Sequence, residues 1–200
     1  ASDAMEATAS SDKDNDDGED VIADLRAKAE SNEKDGSTWF QLGFSLHSAG
    51  RYDEARRLHR ECLTIAQDIC DQRLIATSQL RLAAVSMESG ALQEAHELHA
   101  ASLAHYRQIG HLRGIVACLT SMGQLAIRRG DHAAAPRLFE ASLEIAQVIG
   151  DRLAMSRALS GLGWSLALVG DEALAGRALS IAFDTFTEIQ AMPDALQVLA

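Results

Sequence analysis

His96 and His99, in "EAHELHA", stand three residues apart with Glu94 and Glu97 beside them. On a helix such spacing places two imidazoles on one face, and two imidazoles flanked by carboxylates are the beginning of a metal site. No third ligand follows at a workable spacing, so no metal is expected. Ser, His and Asp all occur, yet none sits in a local nucleophile motif, a phosphate-binding glycine loop or a His-Glu-x-x-His element. The glycines of "SGLGWS" lie within a helical pattern with no strand before them, which removes a dinucleotide fingerprint. Cys62 and Cys70 are eight residues apart, about 12 Å along a helix and too far for a disulfide. With Cys118 they read as buried, reduced thiols. The expectation is therefore no catalytic residue, no cofactor and no enzyme.

Composition narrows the class. The chain has 200 residues, 47% apolar and 24% charged, with two prolines and 4% aromatics. An Ala- and Leu-rich chain so poor in proline and aromatics favours helix over strand. Of the net charge of −11, most lies in residues 1–35, which hold 12 Asp/Glu against 4 Lys/Arg. The nearly neutral remainder offers no basic footprint for nucleic acid. Its most apolar run, "SGLGWSLALVG", is too short to span a bilayer, and "ASDAMEATASSDKDNDDGED" has no apolar stretch of a secretory signal. Residues 1–20 are expected to be an acidic disordered segment or linker, and the protein to be cytoplasmic with no membrane partner.

The rest of the chain repeats. Glycines at 50, 90, 130 and 170 are each 40 residues apart. Ala55, Ala95, Ala135 and Ala175 follow in the same register, as do Ile69, Ile109, Ile149 and Ile189. Upstream stand Leu42, Leu82, Met122 and Leu162, each followed by a small residue: Gly43, Ala83, Gly123 and Gly163. A fixed period of this size with apolar residues at helical spacing means stacked helix pairs. In each pair a first helix runs to the glycine, which stops it, and a second follows. The small residue is expected to face the Ala of the second helix, and Asp71 and Asp151 are expected to cap first helices. His59 and His99 share a register position with Phe139 and Leu179 and are expected in partly buried packing roles. His105, His111 and His132 are placed at the surface or in turns. Pro136 is tolerable only in a first turn, so that unit's second helix is expected to start late, near His132 or Ala133, without breaking.

Trp39-x-x-Leu42-Gly43, then Gly50 and Ala55, resembles the tetratricopeptide repeat, and the resemblance runs over about 36–190. The period is 40 rather than the usual ~34, with the extra residues expected as further turns around the corner between units. This longer variety resembles repeats of bacterial signal-responsive regulators and of kinesin light chains, which often carry Pro just after the Ala, as Pro136 follows Ala135. The resemblance implies an all-α, right-handed α-solenoid of antiparallel helix pairs: a leading helix over 21–33, units over 36–70, 71–110, 111–150 and 151–190, and the start of a further or capping helix over 193–200.

In such repeats the first helices line a concave groove. The outward positions include Phe40, Phe44, His47, Leu80, Met87, Gln124, Ile127, Arg157 and Trp164. Phe40, Phe44, Leu80, Met87, Ile127 and Trp164 are large and apolar where no repeat core needs them, which marks a binding surface or one filled by the N-terminal segment or by neighbouring repeats. Lys and Asn, which grip a terminal carboxylate in some members, are absent there; Arg81, Arg128 and Arg157 are the anchors for acidic groups. The expectation is a scaffold that binds a peptide or partner helix in an apolar groove; the alternative is a sensor segment of a larger signalling ATPase or transcription regulator. The last second helix has little to cover it, so the chain is either cut from a longer one or self-associates there.

Overall fold

The computed structural model describes residues 19–31 and 36–189. Most of the acidic segment expected over 1–20, and the further helix expected over 193–200, lie outside the described residues. Helices α1 (19–31), α2 (Gly36–Ser48), α3 (Tyr52–Asp68), α4 (Gln72–Glu88), α5 (Leu92–Gln108), α6 (Leu112–Arg128), α7 (Ala135–Ile149), α8 (Arg152–Val169) and α9 (Glu172–Glu188) follow one another, with no strand among the described residues. The fold is the all-α helical repeat that the 40-residue register implies. It forms two compact units, one holding α1–α4 and the other α5–α9. Within each, consecutive helices of the repeat pack on one another; in the first, Ile22 and Ala29 of α1 join Leu42, Leu46, Ala55 and Val85 in one core.

The links between helices are uniform. At the end of α2, Gly50 has φ 73°; its N–H donates to the His47 carbonyl (3.0 Å) and that of Arg51 to the Leu46 carbonyl (2.8 Å). This paired bonding consumes carbonyls that a helix end leaves open, and it needs a left-handed residue. The corner between units, expected to hold extra turns, uses the same device: Cys70 N–H donates to Gln67 and Asp71 N–H to Ala66. The added length therefore lies in the helices themselves. Cys70 has φ 56° and is exposed, unlike buried Cys62 and Cys118, which corrects the expectation of three buried thiols. A β-carbon in this region costs about 1–2 kcal/mol. Cys70→Gly is expected to raise the thermal midpoint by a few degrees, measured by circular dichroism; an unchanged or lower midpoint would count against strain at this turn.

Side chains start the first helices. The Asp71 carboxylate accepts from the N–H groups of Arg73 and Leu74, both at 3.0 Å, and that of Asp151 from Ala154 at 3.0 Å. His111 performs the same task through Nδ1, accepting from Gly114 N–H, and Asp171 caps the second helix α9. α7 starts later than expected, at Ala135 rather than His132 or Ala133, with Pro136 in its first turn. A proline ring clashes with the carbonyl four residues earlier, here that of His132, so the helix cannot extend back through it. Asp131 closes the gap by accepting from Ala134 N–H at 3.1 Å. Beyond Pro136 the helix runs unbroken to Ile149.

The three glycines at this position, Gly43, Gly123 and Gly163, face a bulky side chain beyond the Ala expected there. A β-carbon on Gly43 would lie 2.6 Å from the His59 ring, and one on Gly123 would lie 2.7 Å from Cζ of Phe139. A β-carbon on Gly163 would lie 2.6 Å from Cγ of Leu179 and 3.2 Å from the carbonyl oxygen of Ala175, the residue expected there. The missing side chain thus seats a bulky residue one helical turn beyond the Ala. Phe139 is held twice, since a β-carbon on Gly161 of α8 would clash with the same ring. Between α6 and α7, the hydroxyls of Thr120 and Ser142 pair at 2.7 Å, which satisfies a polar group buried in the seam.

Candidate functional site

In the first unit the exposed faces of α2 and α4 meet around one cation. The Arg81 guanidinium carbon lies 5.2 Å from the Phe40 ring centroid and 5.0 Å from that of Phe44. Phe40 is half-buried and Phe44 is 47% exposed. A guanidinium between two π-faces is held electrostatically and sterically, so Arg81 is a preorganised charge on an apolar surface. Beneath it, the His59 ring is 6.0 Å from Phe40, centroid to centroid, and fully buried. Burial pushes His59 down to about 4, with the charges of Arg81 and His47 adding to the effect. The His47 ring packs against that of Tyr52 at 5.5 Å, tilted by 59°, and its pKa is lowered by burial, against the raising influence of Glu88.

Of the other expected surface residues in this unit, Leu80 is half-buried. Met87 is not a surface residue: it is 7% exposed and sits in a run with buried Val85 and Ser86. α4 is covered over a wide arc, Ile75, Ala76, Ser78 and Leu82 also being buried, so the position that is half-exposed on α2 (His47) belongs to the interior on α4.

In the second unit, α6 and α8 pack side by side. Gln124, Arg128 and Arg157 are exposed, and Trp164 is 39% exposed. Gln124 and Trp164 occupy the same register position on successive first helices. Arg157 and Trp164, two turns apart, share a face of α8, as Gln124 and Arg128 share one of α6. Ile127 is half-buried and packs against the cluster of Ala126, Ala135 and Phe139. It supports the surface more than it presents one.

The histidine pair that suggested a metal is divided. His99 is fully buried and His96 is exposed, so their imidazoles do not share an environment. Among the described residues no three His, Cys, Asp or Glu side chains cluster to hold a metal ion. Burial raises the Cys62 and Cys118 thiols to about 11, which keeps them protonated and poor nucleophiles near neutrality. No helix of the described residues is long and apolar enough to cross a membrane.

Residues 35–108 match the tetratricopeptide repeat family. A comparison with curated proteins gave no match. Among solved structures, the chain is similar to the Rap conjugation gene regulator of the plasmid pLS20 in complex with the Phr* peptide, at TM-score 0.79 and 11% identity, covering 90% of this chain and 52% of that one. It is also similar to the nearly identical TPR-like repeats of a Podosopora anserina kinesin light chain, at TM-score 0.68 and 16% identity, covering 92% and 94%. The third similarity is to BtubC (BKLC) of P. vanneervenii, at TM-score 0.68 and 18% identity, covering 78% and 64%. The chain thus spans about two thirds of BtubC and about half of the Rap regulator. The tetratricopeptide repeat match covers residues 35–108, and the likeness to these solved structures extends the helix-pair repeat fold over most of the chain.

Proposed function

We propose that the protein is an interaction module whose first-helix faces, α2 with α4 in one unit and α6 with α8 in the other, bind a peptide or a partner helix. The observation that carries this reading is the Arg81 guanidinium set against Phe40 and half-exposed Phe44. Such an aromatic–cation contact adds only about 0.5–1 kcal/mol to a fold at an exposed site, and aromatic and Arg side chains are the usual anchors of interfaces. Trp164 gives the second unit an anchor of the same kind. The likeness in fold to a Rap regulator in complex with a peptide supports the class of ligand.

A second reading, a sensor segment within a larger regulator, is favoured by one observation: the chain spans only 52% of that Rap regulator. The two readings share the binding faces and differ in what binding controls.

The experiment is an affinity measurement on the full chain and on Phe44→Ala/Trp164→Ala. The double variant is expected to bind a captured peptide at least about tenfold more weakly, because truncating an anchor costs about 1–2 kcal/mol or more. Its thermal midpoint should change little, since both side chains are substantially exposed. Undiminished affinity in a folded double variant would remove these faces from the interaction.

A further inference from the structure

Three corners of this chain share one backbone and are capped by different side chains. The N–H of Asp71 donates to the Ala66 carbonyl at 2.9 Å, that of His111 to Tyr106 at 2.9 Å and that of Asp151 to Ala146 at 3.1 Å. The side chain of Asp71, His111 or Asp151 then accepts from the N–H three positions on, in Leu74, Gly114 and Ala154, at 3.0 Å every time. Where two corners use a carboxylate, the middle one uses Nδ1 of an imidazole. Its neighbours change with it. In place of buried Ala66 and Ala146 stands buried Tyr106, whose ring stacks on that of His111 at 5.2 Å and 27°. In place of Leu74 and Ala154 stands Gly114, where a β-carbon would overlap the Tyr106 ring. Tyr106, His111 and Gly114 are one fitted set: the glycine admits the phenol ring, the ring supports the imidazole, and the imidazole caps α6.

An Asp cap and a His cap answer differently to acid. A carboxylate keeps accepting, and keeps favouring the helix dipole, down to about pH 4. An imidazole changes its charge between about pH 5 and 8. Once protonated it has two N–H donors and no acceptor, and its positive charge stands at the positive end of the helix. We propose that the α5–α6 corner is a pH-responsive latch: neutral His111 closes the first turn of α6, and protonation of His111 releases it. Besides Tyr106, the titratable and charged groups that the surrounding elements bring to this corner are His105 and Arg107 in the last turn of α5, Arg113 in the first turn of α6 and Asp151 at the start of α8. Arg113 lies 3.8 Å from Asp151, so the turn that is released is also the one that carries the ion pair from α6 to α8.

The test follows backbone amide exchange by NMR in the full chain at about pH 7.5 and about pH 5.5, on either side of the imidazole range. Protection is taken relative to an unstructured peptide at the same pH. That of the Gly114 N–H is expected to fall about fivefold more than that of Leu74 and Ala154, the effect of losing one cap. The Asp-capped amides are the internal controls, because a general loosening through His59 and His99 does not single out Gly114. His111→Asp, which installs the carboxylate of the other two corners, should bring Gly114 level with the controls at both pH values. His111→Ala should leave Gly114 equally under-protected at both.

A fall at Gly114 no larger than at Leu74 and Ala154 would overturn the latch. So would an excess fall that persists in His111→Asp, since another group would then carry it. The ring gives an independent reading through its nitrogen NMR shifts. Nδ1 of His111 should be bare and Nε2 protonated at the higher pH, with a proton arriving on Nδ1 over the range in which Gly114 loses protection. A proton on Nδ1 of the neutral ring would abolish the cap and overturn the proposal.

Discussion

Acidification from pH 7 to about 4.5 is expected to destabilise the fold by about 5 kcal/mol, through two buried histidines. His59 and His99 are fully buried, and none of their ring nitrogens has a hydrogen-bond partner among the described residues. Burial brings each down from 6.5 to about 4; Arg81 and His47 add to the effect at His59, and His96 at His99. Between these values the unfolded chain binds a proton at each site and the folded chain does not. Stability is therefore full above pH 6.5 and is lost as the pH falls toward 4, at about 1.4 kcal/mol per pH unit for each histidine. The loss is comparable to the whole stability of many domains. Urea melts at the two pH values measure it.

The repeat also supplies the control. Phe139 occupies the register position of His59 and His99, and it faces Gly123 as His59 faces Gly43. His59→Phe should therefore fit, stabilise the protein at neutral pH by removing unpaired polar atoms, and remove about half of the acid sensitivity above pH 4.5. An equally steep pH dependence in that variant would show that other groups carry it.

Phe139→Ala is expected to cost about 3–5 kcal/mol, the range for emptying a well-packed aromatic site. For a chain of this length that lowers the thermal midpoint by about 6–20 °C. The ring is 1% exposed and fills a slot between Gly123 of α6 and Gly161 of α8. Neither glycine contributes a side chain able to move into the cavity. Gly123→Ala alone should destabilise, because its β-carbon meets the ring at 2.7 Å and crowding a packed core costs about 1–3 kcal/mol. In the Phe139→Ala background the same change should be neutral or stabilising, since the obstacle is gone and Ala is favoured over Gly in a helix by about 1 kcal/mol. Additive effects in this cycle would refute the paired-glycine slot.

What was legible in the sequence follows from which interactions are local. Helix ends are set within a few residues, so the glycine stops and the Asp71 and Asp151 caps could be read directly. The fixed 40-residue register supplied the pairing of helices, because equivalent positions recur whatever their neighbours are. Contacts between helices were harder. The repeat pairs the small residue at 43, 123 and 163 with the nearby Ala; the side chain that fills the space beside it stands four residues further on, at His59, Phe139 and Leu179, with the Ala175 carbonyl also near Gly163. Cys70 concealed the turn at the first corner, because only its backbone angle shows that it stands in for Gly.

The candidate surface divides the same way. Phe44, Gln124, Arg128, Arg157 and Trp164 are exposed at the positions read from the repeat. Met87 is buried, because how widely a helix is covered does not show in its own sequence. The stacking of Arg81 on two phenyl rings joins two helices far apart in the chain. The signal for it was present in the register: Phe40 and Phe44 lie one turn apart, and Arg81 stands next to Leu80, the equivalent of Phe40.

The most direct test of the interaction account is a footprint. The isotope-labelled full chain is titrated with a captured peptide, and amide and side-chain NMR signals are followed. The account predicts that the largest shifts fall on α2, α4, α6 and α8, around Phe44, Arg81, Gln124 and Trp164, with the Trp164 indole N–H among them. Shifts concentrated on α3, α5, α7 and α9, with those four residues unmoved, would contradict it.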